Sequence, residues 1–198
     1  MANLDNDQLE ILKKYKQDLR RGNLSKLAKD LTSSISKYDR GEIIAYMIEH
    51  GIDILSAMSF IPEQGIKDLE NLPILMIPGN IETIRKNGII RNPSVKEILI
   101  EHGVQNIDSN AITNNSNLTA VIIPPSVTTL GAGAFSHNPN LKEVFISDGI
   151  KVLPRGLFEG CDDNIVVKAN FRENKADRLR CVEGEKDWYR THLKWVKD

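Results

Sequence analysis

Cysteine is scarce: only Cys161 and Cys181 occur in 198 residues. That is too few for a disulfide framework and fits a reducing compartment, although a single bridge between them stays open. No apolar stretch approaches the ~20 residues that span a bilayer. The start Met1-Ala2-Asn3-Leu4-Asp5 lacks the basic-then-apolar order of a secretory signal. These absences lead us to expect a soluble, cytoplasmic chain with no membrane contact. On that expectation the glycosylation-like triplets Asn23-Leu24-Ser25, Asn114-Asn115-Ser116 and Asn117-Leu118-Thr119 are chance matches. Strong charge of one sign is also missing, the net charge being -1. Residues 1–48 carry 9 Lys/Arg against 7 Asp/Glu, residues 49–163 carry 8 against 14, and residues 164–198 carry 9 against 6. An acidic middle without a basic stripe argues against nucleic acid as a partner.

Catalytic chemistry is as sparse. His50, His102, His137 and His192 stand in unrelated contexts, with no Cys or acid at metal-ligand spacing. There is no phosphate-cradling glycine loop and no nucleophile elbow. The run Gly131-Ala132-Gly133-Ala134 is explained by close packing at a corner. The reading is a non-enzyme with no cofactor and no metal. The length allows one well-buried core but not two large domains.

What the chain does contain is a repeat of 23 residues. Leu72, Val95, Leu118 and Leu141 align, followed by Leu75, Ile98, Val121 and Val144, then Ile77, Ile100, Ile123 and Ile146. Further columns hold Ile81, Val104, Val127 and Ile150, then Ile84, Ile107, Leu130 and Leu153, then Gly88, Ala111, Ala134 and Leu157, then Ile89, Ile112, Phe135 and Phe158. A weaker turn precedes them in the same spacing (Ile52, Ile54, Met58, Ile61, Gly65, Ile66, Leu69), and Val167 and Ala169 begin a partial one. A fixed period in this range marks a stacked architecture. Turns are expected to start near residues 49, 72, 95, 118 and 141, with a partial turn from 164.

One turn can be read residue by residue. Leu118-Thr119-Ala120-Val121-Ile122-Ile123 is rich in β-branched side chains and predicts a strand with Val121 and Ile123 inward. Pro124-Pro125-Ser126 supplies a bend, and Val127-Thr128-Thr129-Leu130 a second extended piece. Asn92, Asn115, Asn138 and Cys161 fill one column. Side-chain amides repeated at a tight bend can satisfy buried carbonyls, so this column is expected to be a structural ladder ending in an unreactive thiol.

The run from Leu118 to Phe135, together with Leu157-Phe158-Glu159-Gly160-Cys161, resembles leucine-rich repeats of the BspA-like, or Treponema pallidum, type. The resemblance implies an α/β solenoid with 23-residue turns. Ile89 and Ile112 depart from it where an aromatic is usual.

A solenoid needs its ends covered. Residues 1–48 are expected to form an N-terminal helical cap, 49–170 the solenoid and 171–198 a C-terminal cap. Leu9, Leu12, Tyr15 and Leu19 lie at helical spacing behind Asp5 and Asn6. Leu24, Leu27, Leu31 and Ile35 follow Asn23 as N-cap, and Ile43, Ile44, Met47 and Ile48 mark a third helix. Arg20-Arg21 between two helices suggests a helix-turn-helix only weakly, since no helix carries a reading face. Lys175–Arg180 and Asp187–Arg190 read as short helical pieces, with Trp188 and Trp195 sealing the last coil. The resemblance likewise implies a strand, helix and tryptophan-containing finish.

In each predicted strand the residue between the two inward positions must face outward. These are Met76, Leu99, Ile122 and Phe145, an apolar stripe roughly 14 Å long at the ~4.8 Å strand spacing, bounded by Asp53 and Lys168. Glu97, Glu101 and Glu143 lie beside it. An apolar centre with a charged rim is interface anatomy, so the leading reading is a module that binds a protein partner or self-associates through this face. The alternatives are a structural component of a virion or surface, of phage or bacterial origin, and a nucleic-acid-binding regulator acting through the N-terminal helices.

Overall fold

The computed structural model describes residues 4–15, 17, 19, 24–170, 180–181 and 191–195. Three helices come first: α1 (Asn6–Lys14), α2 (Ser25–Ser33) and α3 (Lys37–Glu49). Asp5 caps α1 through a reciprocal pair. Its carboxylate accepts the Gln8 N–H at 2.8 Å, and the Gln8 side-chain oxygen accepts the Asp5 N–H at 3.0 Å, a capping box. Gln8 therefore turns inward where Leu9 was expected, and Leu9 is 38% exposed. The Gln8 amide is held there by donating to Glu42 of α3. Helix α2 has Leu24 at its cap position with no side-chain cap hydrogen bond; Asn23 lies outside the described residues. Leu27, Leu31, Ile43, Ile44 and Met47 are fully buried.

The coils follow, and from Phe60 to Asn170 they contain no helix. Each coil presents a long side and one or two short ones. The long side is a six-stranded sheet of β3 (Ile74–Ile77), β6 (Glu97–Ile100), β9 (Ala120–Ile122), β11 (Glu143–Ser147), β13 (Val166–Asn170) and β15 (Leu193–Trp195), adjacent in that order. A second sheet stacks β1 (Phe60–Ile61), β4 (Thr83–Ile84), β7 (Asn106–Ile107) and β10 (Thr129–Leu130). A third stacks β2 (Ile66–Lys67), β5 (Ile89–Ile90) and β8 (Ile112–Thr113), and β12 (Val152–Leu153) pairs with β14 (Arg180–Cys181). Every pairing is parallel, and Leu75↔Ile98, Ile98↔Val121 and Val121↔Val144 reproduce the expected register. The inward columns form one aliphatic core in which Leu75, Ile98, Val121 and Val144 are each at most 1% exposed. Such burial stabilises by about 1.5–3 kcal/mol per side chain.

Three departures from expectation are seen. The first turn has no long-side strand: in residues 51–54, the equivalents of β3, the Ile52 N–H donates to the Met47 carbonyl and the Ile54 N–H to the Ile52 carbonyl, both at 2.8 Å, and a short 3₁₀ turn, Leu55–Ala57, follows at the bend. The Asn80 side-chain amide donates to the carbonyls of Leu55 and Met58 at 2.8 and 2.6 Å, which commits that backbone to the neighbouring bend. At the C-terminal end, Arg180, the last residue of the expected helical piece Lys175–Arg180, lies in a strand with Cys181, and Leu193–Trp195 adds a further strand, so the long sheet continues past residue 170. Trp188 and the stretches 171–179 and 182–190 lie outside the described residues. At the third corner, Ile89 and Ile112 begin short strands, whereas Phe135 and Phe158 sit in turns with their rings stacked 5.9 Å apart.

Two columns of each coil take left-handed backbone: Gln64, Asn87, Asn110, Gly133 and Gly156, and Asp68, Arg91, Asn114, His137 and Gly160, with φ between 51° and 70°. Asn and Gly suit this region, and Gly133 owes its place to it. His137 is thereby a corner residue.

The helical cap is joined to the solenoid through Lys67, 4% exposed, whose Nζ lies 3.1 Å from Glu42 of α3. Glu42 keeps 43% of its side chain exposed, which screens the pair. Glu42→Ala leaves the buried ammonium without its carboxylate. It is expected to cost about 1–2 kcal/mol, below the ~3–5 of a fully buried pair. Lys67→Met, which removes the charge and keeps the stem, should cost less. Urea unfolding of both variants checks this order; a costlier Lys67→Met contradicts it.

Candidate functional site on the outer face of the long sheet

Alternation along each long-side strand puts one residue out for every residue in. Strand pairing aligns Met76 with Leu99, Leu99 with Ile122, Ile122 with Phe145, and Phe145 with Lys168. The four apolar residues thus form one continuous outward row. Met76 is 54% and Ile122 44% exposed, while Leu99 and Phe145 are half-buried. Sequence reasoning missed Ile74, which is 46% exposed and stands in the same outward column as Glu97. The alternation that identified Met76 would also have found it.

The rim is less uniform than expected. Glu97 and Glu101 are exposed, and Glu101 accepts the Gly79 N–H at 3.2 Å. Glu143 is paired with Lys168 at 2.9 Å, and the same ammonium lies 4.7 Å from the centre of the Phe145 ring. That cation–π contact covers one end of the row. The open part therefore runs from Ile74 and Met76 through Leu99 to Ile122, with the exposed acids Glu97 and Glu101 toward the N-terminal end.

The asparagine column lies away from this face, inside a bend. Asn92 N–H donates to the Asn115 side-chain oxygen at 3.1 Å, and Asn115 N–H to that of Asn138 at 2.9 Å. The side-chain amides of Asn115 and Asn138 donate back to the Ile89 and Ile112 carbonyls at 3.3 and 2.8 Å. Each rung so ties two coils together, and all three asparagines are fully buried. Cys161 completes the column with its thiol 3.1 Å from the Phe135 carbonyl. Burial pushes this thiol up to about 11 from an ordinary 9.0, against the opposing pull of the Asn138 N–H. In a Cys181→Ser chain, iodoacetamide at pH 8 should therefore alkylate Cys161 about a hundredfold slower in the folded than in the unfolded state. Equal rates contradict the placement. Because the unfolded thiol ionises first, its contribution to stability is present below pH 9 and is lost as the pH rises toward 11.

Two hollows accompany these features. One of about 450 Å³ is polar and includes the paired Arg91 and Asp68, 3.2 Å apart. The other, about 310 Å³, is lined almost wholly by apolar residues, including Ile52, Leu72, Ile74 and Met76. Among the described residues no group of three metal-ligating side chains converges, and no helix is long and apolar enough to cross a membrane.

Comparison with known proteins now adds the family. No curated protein matches the chain. A solved structure titled "The Crystal structure of Pneumococcal vaccine antigen PcpA" is similar at 16% identity, covering 70% of this chain and 42% of that one, with a TM-score of 0.39. This chain thus spans less than half the length of that protein. The family described as "BspA type Leucine rich repeat region" matches in six copies over residues 48–164. That match takes in more than half of the 198 residues, and with the 23-residue parallel register it identifies the chain as a member of the BspA-type leucine-rich repeat family.

Proposed function

We propose that this chain is a non-enzymatic interaction module that binds a protein partner through the outer face of its long sheet. Repeat solenoids of this family are typically interaction scaffolds; the face and its residues are the further step. One observation carries it: Met76, Leu99 and Ile122 form a contiguous outward apolar row that no described residue covers at its N-terminal end. Soluble proteins seldom leave such a row bare without a use for it. Glu97 and Glu101 supply the polar rim, and Phe145 with Glu143 and Lys168 forms its far border.

The test is retention of partner by the wild-type chain against Leu99→Asp/Ile122→Asp. Both side chains point away from the core, so the variant should fold normally and lose its partner. Undiminished retention by a folded variant would overturn the assignment.

A further inference from the structure

The six-stranded sheet has an open edge at β3. The Pro73 carbonyl accepts the N–H of Glu97 in β6 and the Ile77 carbonyl that of Glu101 just after it, so by parallel alternation residues 73, 75 and 77 bond toward β6. Ile74 and Met76 turn their N–H and C=O groups to the other side. No described strand pairs there, because residues 51–54, which stand in the columns of β3, bond locally instead: the Ile52 N–H donates to the Met47 carbonyl and the Ile54 N–H to the Ile52 carbonyl, both at 2.8 Å. The apolar hollow of about 310 Å³ lies along this edge, walled by Gly51–Leu55 on one side and Leu72–Met76 on the other. Edges are commonly blunted by charge, yet Ile74–Ile77 has none.

We infer that the open β3 edge and its apolar hollow are a docking site for an extended polypeptide segment, added to the sheet as a further strand and carrying apolar residues flanked by basic ones. Two donors and two acceptors spaced along one edge match the repeat of another backbone, which is the chemistry of strand addition. Among the described residues the one charged residue lining the hollow is Asp53, and the exposed Glu97 and Glu101 stand on the next strand and bend. This charge complements lysines or arginines on the segment. It opposes a second copy of this chain, which would bring the same three acids face to face. The site is distinct from the sheet face proposed above: the two share Ile74, Met76 and the nearby acids Glu97 and Glu101, but not Leu99 or Ile122.

A fluorescein-labelled peptide, Lys-Thr-Val-Thr-Val-Thr-Lys, is titrated with the full chain and followed by anisotropy. Saturable binding is expected. It should weaken about tenfold or more when the internal peptide nitrogens are methylated, as the loss of one or two backbone hydrogen bonds requires. Ile74→Pro should weaken it similarly. The Ile74 N–H faces away from β6, where proline is tolerated, and if that variant fails to fold the methylated peptide alone decides. Leu99→Asp/Ile122→Asp should not weaken peptide binding, since the added carboxylates have the sign that favours a basic segment, and this separates the site from the sheet face. Absence of saturation up to about 1 mM, or equal binding of the methylated peptide, overturns the inference. So does a chain that sediments as a dimer through this edge, since a second copy would then be the occupant.

Discussion

Replacing Asn115 by alanine is expected to destabilise the chain by about 3–5 kcal/mol, a large share of the ~5–15 that a domain of this size possesses. The side-chain oxygen accepts both the backbone and the side-chain N–H of Asn92, at 3.1 and 3.0 Å. Its amide donates to the carbonyls of Ile89 and Thr113 at 3.3 and 3.1 Å. All of this lies in a fully buried bend, so truncation leaves several polar groups unpaired at about 1–3 kcal/mol each. Asn115 is the middle rung, and the damage should reach the coils on both sides. Equilibrium urea unfolding checks the magnitude; a loss below about 1 kcal/mol would mean that water replaces the side chain there. Cys161→Ala, at the end of the column where the thiol meets only the Phe135 carbonyl and the Asn138 N–H among the described residues, should cost far less.

The second large effect belongs to the sheet face. A fully desolvated carboxylate at the centre of an interface costs several kcal/mol unless it is paired. Leu99→Asp/Ile122→Asp would place two of them side by side, one strand apart, and beside the acids Glu97 and Glu101. Partner affinity should fall at least a hundredfold, which about 2.8 kcal/mol supplies. Glu143→Gln, next to the paired Lys168, is expected to have a minor effect because it sits at the rim.

The repeat was legible because every inward column carries an aliphatic residue at a spacing of 23, and a one-residue slip would have turned all of them outward. The same alternation exposes Met76, Leu99, Ile122 and Phe145 on paper. What stayed hidden depends on contacts between distant residues. Ile52 and Ile54 stand in the strand columns, yet the Asn80 amide from the next coil holds the following carbonyls in a 3₁₀ turn. Gln8 replaces Leu9 at the helix interface because Glu42, far along the chain, offers it a partner. Nothing in the repeat marks Lys67, which is buried with its Nζ 3.1 Å from Glu42 of α3. Lys168 marked the end of the stripe correctly, but that it would reach across Phe145 to Glu143 follows only from the strand pairing. The left-handed corners were half-legible: Asn87, Asn110, Gly133 and Gly156 signal them, whereas Arg91 and His137 conceal the other column.

The most direct test is quantitative affinity capture from cells of the native host, with wild-type chain and Leu99→Asp/Ile122→Asp side by side and their melting temperatures matched. The account predicts one or more proteins retained by the wild type and depleted about a hundredfold with the variant. Equal retention by an equally stable variant would contradict binding through the sheet face.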